Sequence, residues 1–157
     1  MSAMQIAQLP LRAGLLGLCP LPGRNGDYAA DFAEVMRFAP TAVVSLVKVH
    51  EYQRHNAPRF VADLAAQGIV QIPFPIQDFG TPDRQIWPAL SARLHAALTG
   101  GGRILIHCLG GCGRTGTIAL RLMVESGEDP SGALDRLRLV RPCAVETKAQ
   151  HKWAITP

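Results

Sequence analysis

Short apolar runs alternating with longer amphipathic stretches organise this chain. Three of the runs are rich in aliphatic and β-branched residues, Ala42 to Val47, Ile69 to Phe74 and Arg103 to His107, and a weaker one lies at Leu15 to Leu18. Their length and their flanking glycines, prolines and charges predict buried strands. Helical spacing fills the intervals. Asp27 to Phe38 predicts a first helix. A second starts near Pro58 with Asn56 as its cap and stops at Gly68. A third covers Asp83 to Leu98, interrupted early by Pro88 and closed by Gly100 to Gly102. Beyond residue 113 a helix runs to about Glu125, another from Pro130 to Val140, and a short turn spans Lys148 to Trp153.

Strands separated by helices predict an α/β fold, a central and largely parallel sheet flanked by helices. No internal repeat, low-complexity tract or linker interrupts the pattern, so residues 1–157 are expected to form a single domain. In such sheets ligands collect at the carboxyl ends of strands. Three exits converge there: Lys48 to Arg54, Pro75 to Asp83, and Cys108 to Arg114. The stretch Lys48 to His55 is read as a solvated loop within reach of a substrate.

Bulk composition narrows the classes. At 157 residues the chain can bury a core without disulfides or metals, and 48% hydrophobic against 18% charged residues excludes a disordered chain. A net charge of +4 suits anionic substrates, but the basic residues never form a run, so nucleic acid is not an expected partner. The apolar stretch Leu15 to Cys19 is too short for a membrane span and is broken by Pro20 and Pro22, so no membrane partner is expected. The bulky Leu18 argues against lipidation at Cys19. Four cysteines, at 19, 108, 112 and 143, follow neither paired zinc spacing nor a dense disulfide framework. The expectation is a cytoplasmic protein with no metal and no cofactor.

The candidate chemistry lies in Ile104-Leu105-Ile106-His107-Cys108-Leu109-Gly110-Gly111-Cys112-Gly113-Arg114-Thr115-Gly116, a strand entering a glycine-rich turn and then a helix. Three glycines within the turn permit close backbone approach, and successive N–H groups of Leu109, Gly110, Gly111, Cys112 and Gly113 can point inward as an anion nest. The positive end of the following helix adds to that field. Arg114 can close the cup with a guanidinium fork matched to two phosphate oxygens. The same field should stabilise the ionised form of Cys108, making it a nucleophile toward phosphorus. Thr115 is placed to offer its hydroxyl to the sulfur as an intermediate breaks down, and His107 to orient the loop by hydrogen bonds. Cys112 could trap an oxidised Cys108, with Cys19 as a rival partner.

The signature His107-Cys108-x5-Arg114-Thr115 resembles that of the protein tyrosine phosphatase superfamily, in particular its small dual-specificity branch. Leu16 to Gly23, Pro75 to Asp83 and Ala144 to Gln150 are similar to segments of the kinase-associated phosphatases within that branch. The resemblance implies the cysteine-dependent phosphatase fold and hydrolysis of phosphate monoesters. A leaving oxygen needs a proton, and Asp78 and Asp83 both qualify on position. The resemblance favours Asp78, 30 residues before Cys108, leaving Asp83 to cap the following helix. It also implies that Gln150 orients the hydrolytic water.

None of the five residues between Cys108 and Arg114 is charged, whereas inositol-lipid phosphatases of the superfamily commonly carry lysines there. The expected substrate is therefore phosphotyrosine and phosphoserine or phosphothreonine in proteins. An inositol or other small-molecule phosphomonoester is the alternative, and a non-hydrolysing phosphoprotein-binding module the third reading.

Overall fold

The computed structural model describes residues 3–157. Its centre is a five-stranded sheet of β1 (Ala7–Leu11), β2 (Gly14–Cys19), β3 (Ala42–Ser45), β4 (Val70–Pro73) and β5 (Arg103–His107), in the order β1-β2-β5-β3-β4. Strands β2, β5, β3 and β4 run parallel, and β1 adds an antiparallel edge through a tight turn, with Leu9 opposite Leu16. The expected α/β architecture is therefore found. The edge strand β1 escaped sequence reading because Ala-Gln-Leu-Pro-Leu has little strand character, and Pro10 fits only an edge.

Alternating side chains of the central strands divide the core. Leu16, Leu18, Val44, Ile104 and Ile106 face α4 (Trp87–Thr99), α5 (Gly113–Glu125), α6 (Pro130–Val140) and α7 (Lys148–Ile155). Cys19, Val43 and Leu105 face α1 (Tyr28–Phe38) and α3 (Phe60–Ala66). Ile104, Leu105 and Ile106 have no exposure at all. Each fully buried aliphatic side chain contributes roughly 1.5–3 kcal/mol relative to exposure. The strand that delivers Cys108 is thus firmly held at the centre of the sheet.

Helix boundaries follow local chemistry. The Asp27 carboxylate caps α1 by accepting from the Ala30 N–H at 3.0 Å, and Asp129 does the same for α6 through Gly132. Three expectations need correction. Lys48 to His55 is not a loop, since Val49–Arg54 forms a short helix, α2, at the exit of β3. Asn56 does not cap the second expected helix. Its φ is +63°, its amide reaches toward the Gly23 carbonyl, and α3 begins at Phe60. Pro88 does not interrupt α4 but sits in its first turn, where a missing N–H costs nothing.

Candidate active site

β5 ends at His107, and residues 108–112 turn sharply into α5. The turn is shaped from outside. The Leu109 carbonyl accepts from the Leu21 N–H at 3.0 Å, and the Cys112 carbonyl from the Val145 and Gly116 N–H groups. The Gly110 and Gly111 carbonyls accept from the two arms of Arg141 at 2.8 and 2.9 Å. With the carbonyls turned outward, the N–H groups of residues 109–112 take part in no backbone hydrogen bond among the described residues. Gly111 has a φ of +71°, and a Cβ there would lie 2.5 Å from the Cys19 backbone. Only glycine fits. Gly110 lies under the exposed Arg24 guanidinium, so the rim of the turn is basic.

Arg114, in the first turn of α5, is 1% exposed. Its two terminal nitrogens meet both oxygens of Glu51 end-on at 3.0 and 2.9 Å, and the Ile76 carbonyl at 3.1 Å. Nη2 also stands 3.3 Å from Asp78 Oδ1. Nε has no partner among the described residues. The end-on pair with Glu51 therefore leaves Nε and the second N–H of Nη2 on the side edge of the guanidinium. Burial pushes the Glu51 carboxyl up, but hydrogen bonds from Arg114 and the Lys48 N–H, together with the charge of Arg114, outweigh it and hold the group below its ordinary value. Glu51 is ionised, and Arg114 keeps its charge in a site where an unpaired guanidinium would be costly.

Asp78 lies on the loop between β4 and α4, with its side chain 42% exposed. Side chains tether that loop on either side of Asp78: Lys48 Nζ donates to Gln77 Oε1 at 2.7 Å, and Gln150 Nε2 donates to the Gly80 carbonyl at 3.2 Å. Asp83 is remote from this arrangement in its bonding. Its carboxylate accepts from the Gln85 N–H at 2.7 Å and its carbonyl from Trp87, a turn leading into α4.

His107 is fully buried between Ser45 Oγ, 2.7 Å from Nε2, and the Cys108 carbonyl, 3.1 Å from Nδ1. Burial pushes its pKa down to about 4, so the ring is neutral at physiological pH. Thr115 is buried, and its hydroxyl has no partner among the described residues. Gln150 is also buried, at the start of α7 beside Gly113. Its oxygen accepts from the Glu146 and Thr147 N–H groups.

The cysteines depart from expectation. Cys112 is bonded to Cys143, with Cα atoms 5.1 Å apart, while Cys108 and Cys19 are free and buried. Cys112 is thus not a waiting partner for Cys108. Burial pushes the Cys19 thiol far up, keeping it protonated. Sequence reading missed Glu51, Arg141 and Cys143. Glu51 carried one faint signal, an acid three residues after Lys48 at a strand exit, the spacing of a helix-start pair. Arg141 and Cys143 lie beyond α6, and nothing in their spacing to the turn marks them.

Comparison with known proteins agrees with this geometry. The family model described as "Tc-R-P: Polymorphic toxin system, DSP-PTPase phosphatase" matches residues 21–128. Cyclin-dependent kinase inhibitor 3 of Mus musculus is 32% identical over 161 residues, covering 96% of this chain and 76% of its own. The Homo sapiens protein of the same name is 31% identical, covering 88% and 69%. Among solved structures, a kinase-associated phosphatase with its catalytic-site cysteine replaced by serine superposes with a TM-score of 0.88 at 25% identity, over 98% of this chain and 93% of that one. Tk-PTP in its active form reaches 0.74 at 27% identity, over 94% and 92%. A family model that spans most of the chain, and relatives that align along nearly all of it, establish that this protein belongs to the small dual-specificity branch of the protein tyrosine phosphatases.

Proposed function

We propose that this phosphatase acts on phosphoproteins through a Cys108 thiophosphoryl intermediate, with Asp78 as the general acid. Cys108 Sγ attacks phosphorus, the P–O bond to the substrate breaks, and the leaving oxygen takes its proton from Asp78. Water then attacks phosphorus, Asp78 accepts a proton, and the P–S bond breaks to release phosphate. Inward N–H groups of residues 109–113 and the Nε–Nη2 edge of Arg114 stabilise the equatorial oxygens throughout. Thr115 donates to the departing sulfur. Neutral His107 holds the Cys108 carbonyl in place. Gln150 orients the water while tethering the acid loop.

The observation that carries this reading is the contact between Arg114 and Asp78, 3.3 Å apart at the edge of the turn that begins with Cys108. A groove of about 520 Å³, lined by Val47, Lys48, Val49, Tyr52, Gln71 and Pro75 among others, lies at the exits of β3 and β4, from which α2 and the loop carrying Asp78 depart. An apolar groove and an uncharged turn suit a side chain on a polypeptide better than an inositol ring with several phosphates. The names of the relatives, an inhibitor of cyclin-dependent kinases and a kinase-associated phosphatase, point to phosphorylated kinases as one class of target. One sheet and the two clusters packed on its faces support a single catalytic domain over residues 1–157. A nucleophile that works only as a thiolate suits the reducing cytoplasm. Among the described residues no helix is long and apolar enough to cross a membrane.

Phosphate release from matched phosphotyrosine, phosphothreonine and inositol phosphate panels tests the reading, with the wild type run beside Cys108→Ser. Release from the phosphopeptides by the wild type alone is expected. Release confined to inositol phosphates overturns the substrate class, and release by the serine variant overturns the nucleophile.

A further inference from the structure

The segment from Arg141 to Val145 wraps the outer side of the turn and is joined to it in several ways. Arg141 binds the Gly110 and Gly111 carbonyls, and the Val145 N–H binds the Cys112 carbonyl at 3.2 Å. Cys143 is bonded to Cys112 itself. Arg138 holds the far side by donating to the Ala144 and Val145 carbonyls. Val145 has a φ of +67°, a left-handed conformation that a β-branched residue adopts only when its surroundings impose it. The segment is thus a constrained strap that holds three successive carbonyls away from the anion nest.

We infer that the Cys112–Cys143 disulfide is a reducible clasp on this strap, that Arg141 is the positioning residue it secures, and that phosphate affinity follows its redox state. The inference rests on the phosphate-binding reading of the turn. Cys143 is exposed, whereas Cys112 is half-buried and caps the N-terminal end of the 13-residue helix α5. A thiolate of a small or protein dithiol attacks the reachable Cys143 sulfur, the S–S bond breaks, and the electron pair leaves on Cys112. The helix end favours that thiolate as the leaving group. The second thiol of the reductant then displaces Cys143 and closes its own disulfide. Two electrons and two protons pass from the dithiol to the protein. With the clasp open, the strap relaxes at Val145 and Arg141 loses its hold, so the N–H groups are no longer preorganised for phosphate.

The Cys108→Ser variant isolates the effect by removing the catalytic thiol. After denaturation it should titrate one thiol, Cys19, as isolated under air, and three after treatment with dithiothreitol. Calorimetric titration with inorganic phosphate should give an affinity weaker by about tenfold in the reduced form. Cys108→Ser combined with Cys143→Ser should show the weaker value in both conditions. Arg141→Lys, which keeps the charge but not the fork, should weaken phosphate binding even with the disulfide intact. In the otherwise wild-type enzyme that change should raise KM more than it lowers kcat, a split that a merely destabilised fold does not produce. Equal phosphate affinity in the disulfide and dithiol forms overturns the clasp, as do three free thiols before reduction. No phosphate binding in either form overturns the cradle reading of the turn and the clasp with it.

Discussion

Two carboxylates flank Arg114, and their surroundings differ. Glu51 is buried and bound end-on to the guanidinium, so it has no free geometry for proton transfer. Asp78 touches the same nitrogen from a position 42% exposed, where a leaving oxygen can reach it. Asp78→Ala should therefore slow turnover of alkyl phosphates by roughly 10²–10⁴ fold. Asp83→Ala should leave kcat near normal and cost only the turn before α4. Steady-state rates on one phosphothreonine peptide separate the two, and the reverse ranking would reassign the acid. Glu51→Gln acts on stability instead. Loss of the counterion from a buried arginine should cost about 3 kcal/mol, seen in urea unfolding. A bound oxyanion can replace the missing charge, so phosphate should raise Tm more in the variant than in the wild type. Equal shifts would mean that Glu51 does not balance Arg114.

At the scale of elements, the parallel strands, the loop from Cys108 to Arg114 and the helix behind it are legible in the sequence, because each has a strong local pattern. The run 103–107 has an apolar centre, Ile104 to Ile106, and three glycines crowd the short turn between it and the next helix. What the sequence hides is short or non-local. Val-His-Glu-Tyr-Gln-Arg is too brief for helical periodicity to register, so α2 has no signature and Glu51 gives little sign of its role. The disulfide joins residues 31 apart, and no spacing rule connects them. Gln150 is implied by resemblance, but its burial and its bond to Gly80 depend on the docking of α7. That docking has its own anchor. Glu125 at the end of α5 accepts from Trp87 and Ser91 of α4 and from Arg121, which in turn donates to the Trp153 and Thr156 carbonyls. Glu125→Ala leaves the buried Trp87 N–H unpaired and should lower thermal stability by about 2 kcal/mol. A change within about 0.5 kcal/mol would show that α4, α5 and α7 are held by apolar packing alone.

For the molecule as a whole, acid should act in two stages. Burial holds the His107 ring down to about 4 against an ordinary value of 6.5, so between those values only the unfolded chain takes up the proton. Stability is unaffected above about pH 6.5 and falls as pH drops from there toward 4, by about 3 kcal/mol at most. Glu125 follows at lower pH. Burial pushes its carboxyl up, but hydrogen bonds from Ser91, Trp87, Arg121 and His95 outweigh this and hold it at about 2, against an ordinary 4.5. Its contribution is lost as pH falls from 4.5 to about 2. Urea midpoints across this range should show both limbs, and His107→Asn should flatten the upper one without altering the lower. An unchanged upper limb in that variant would assign it to other groups.

The proposed mechanism turns on one atom, Cys108 Sγ. Acid-quenched turnover of a phosphotyrosine peptide, digested and read by mass spectrometry, tests that atom directly. A phosphoryl group is expected on the peptide carrying Cys108 and absent from Cys108→Ser. Steady turnover with no phosphoryl label on Cys108, or with the label on another residue, would contradict its role as the nucleophile.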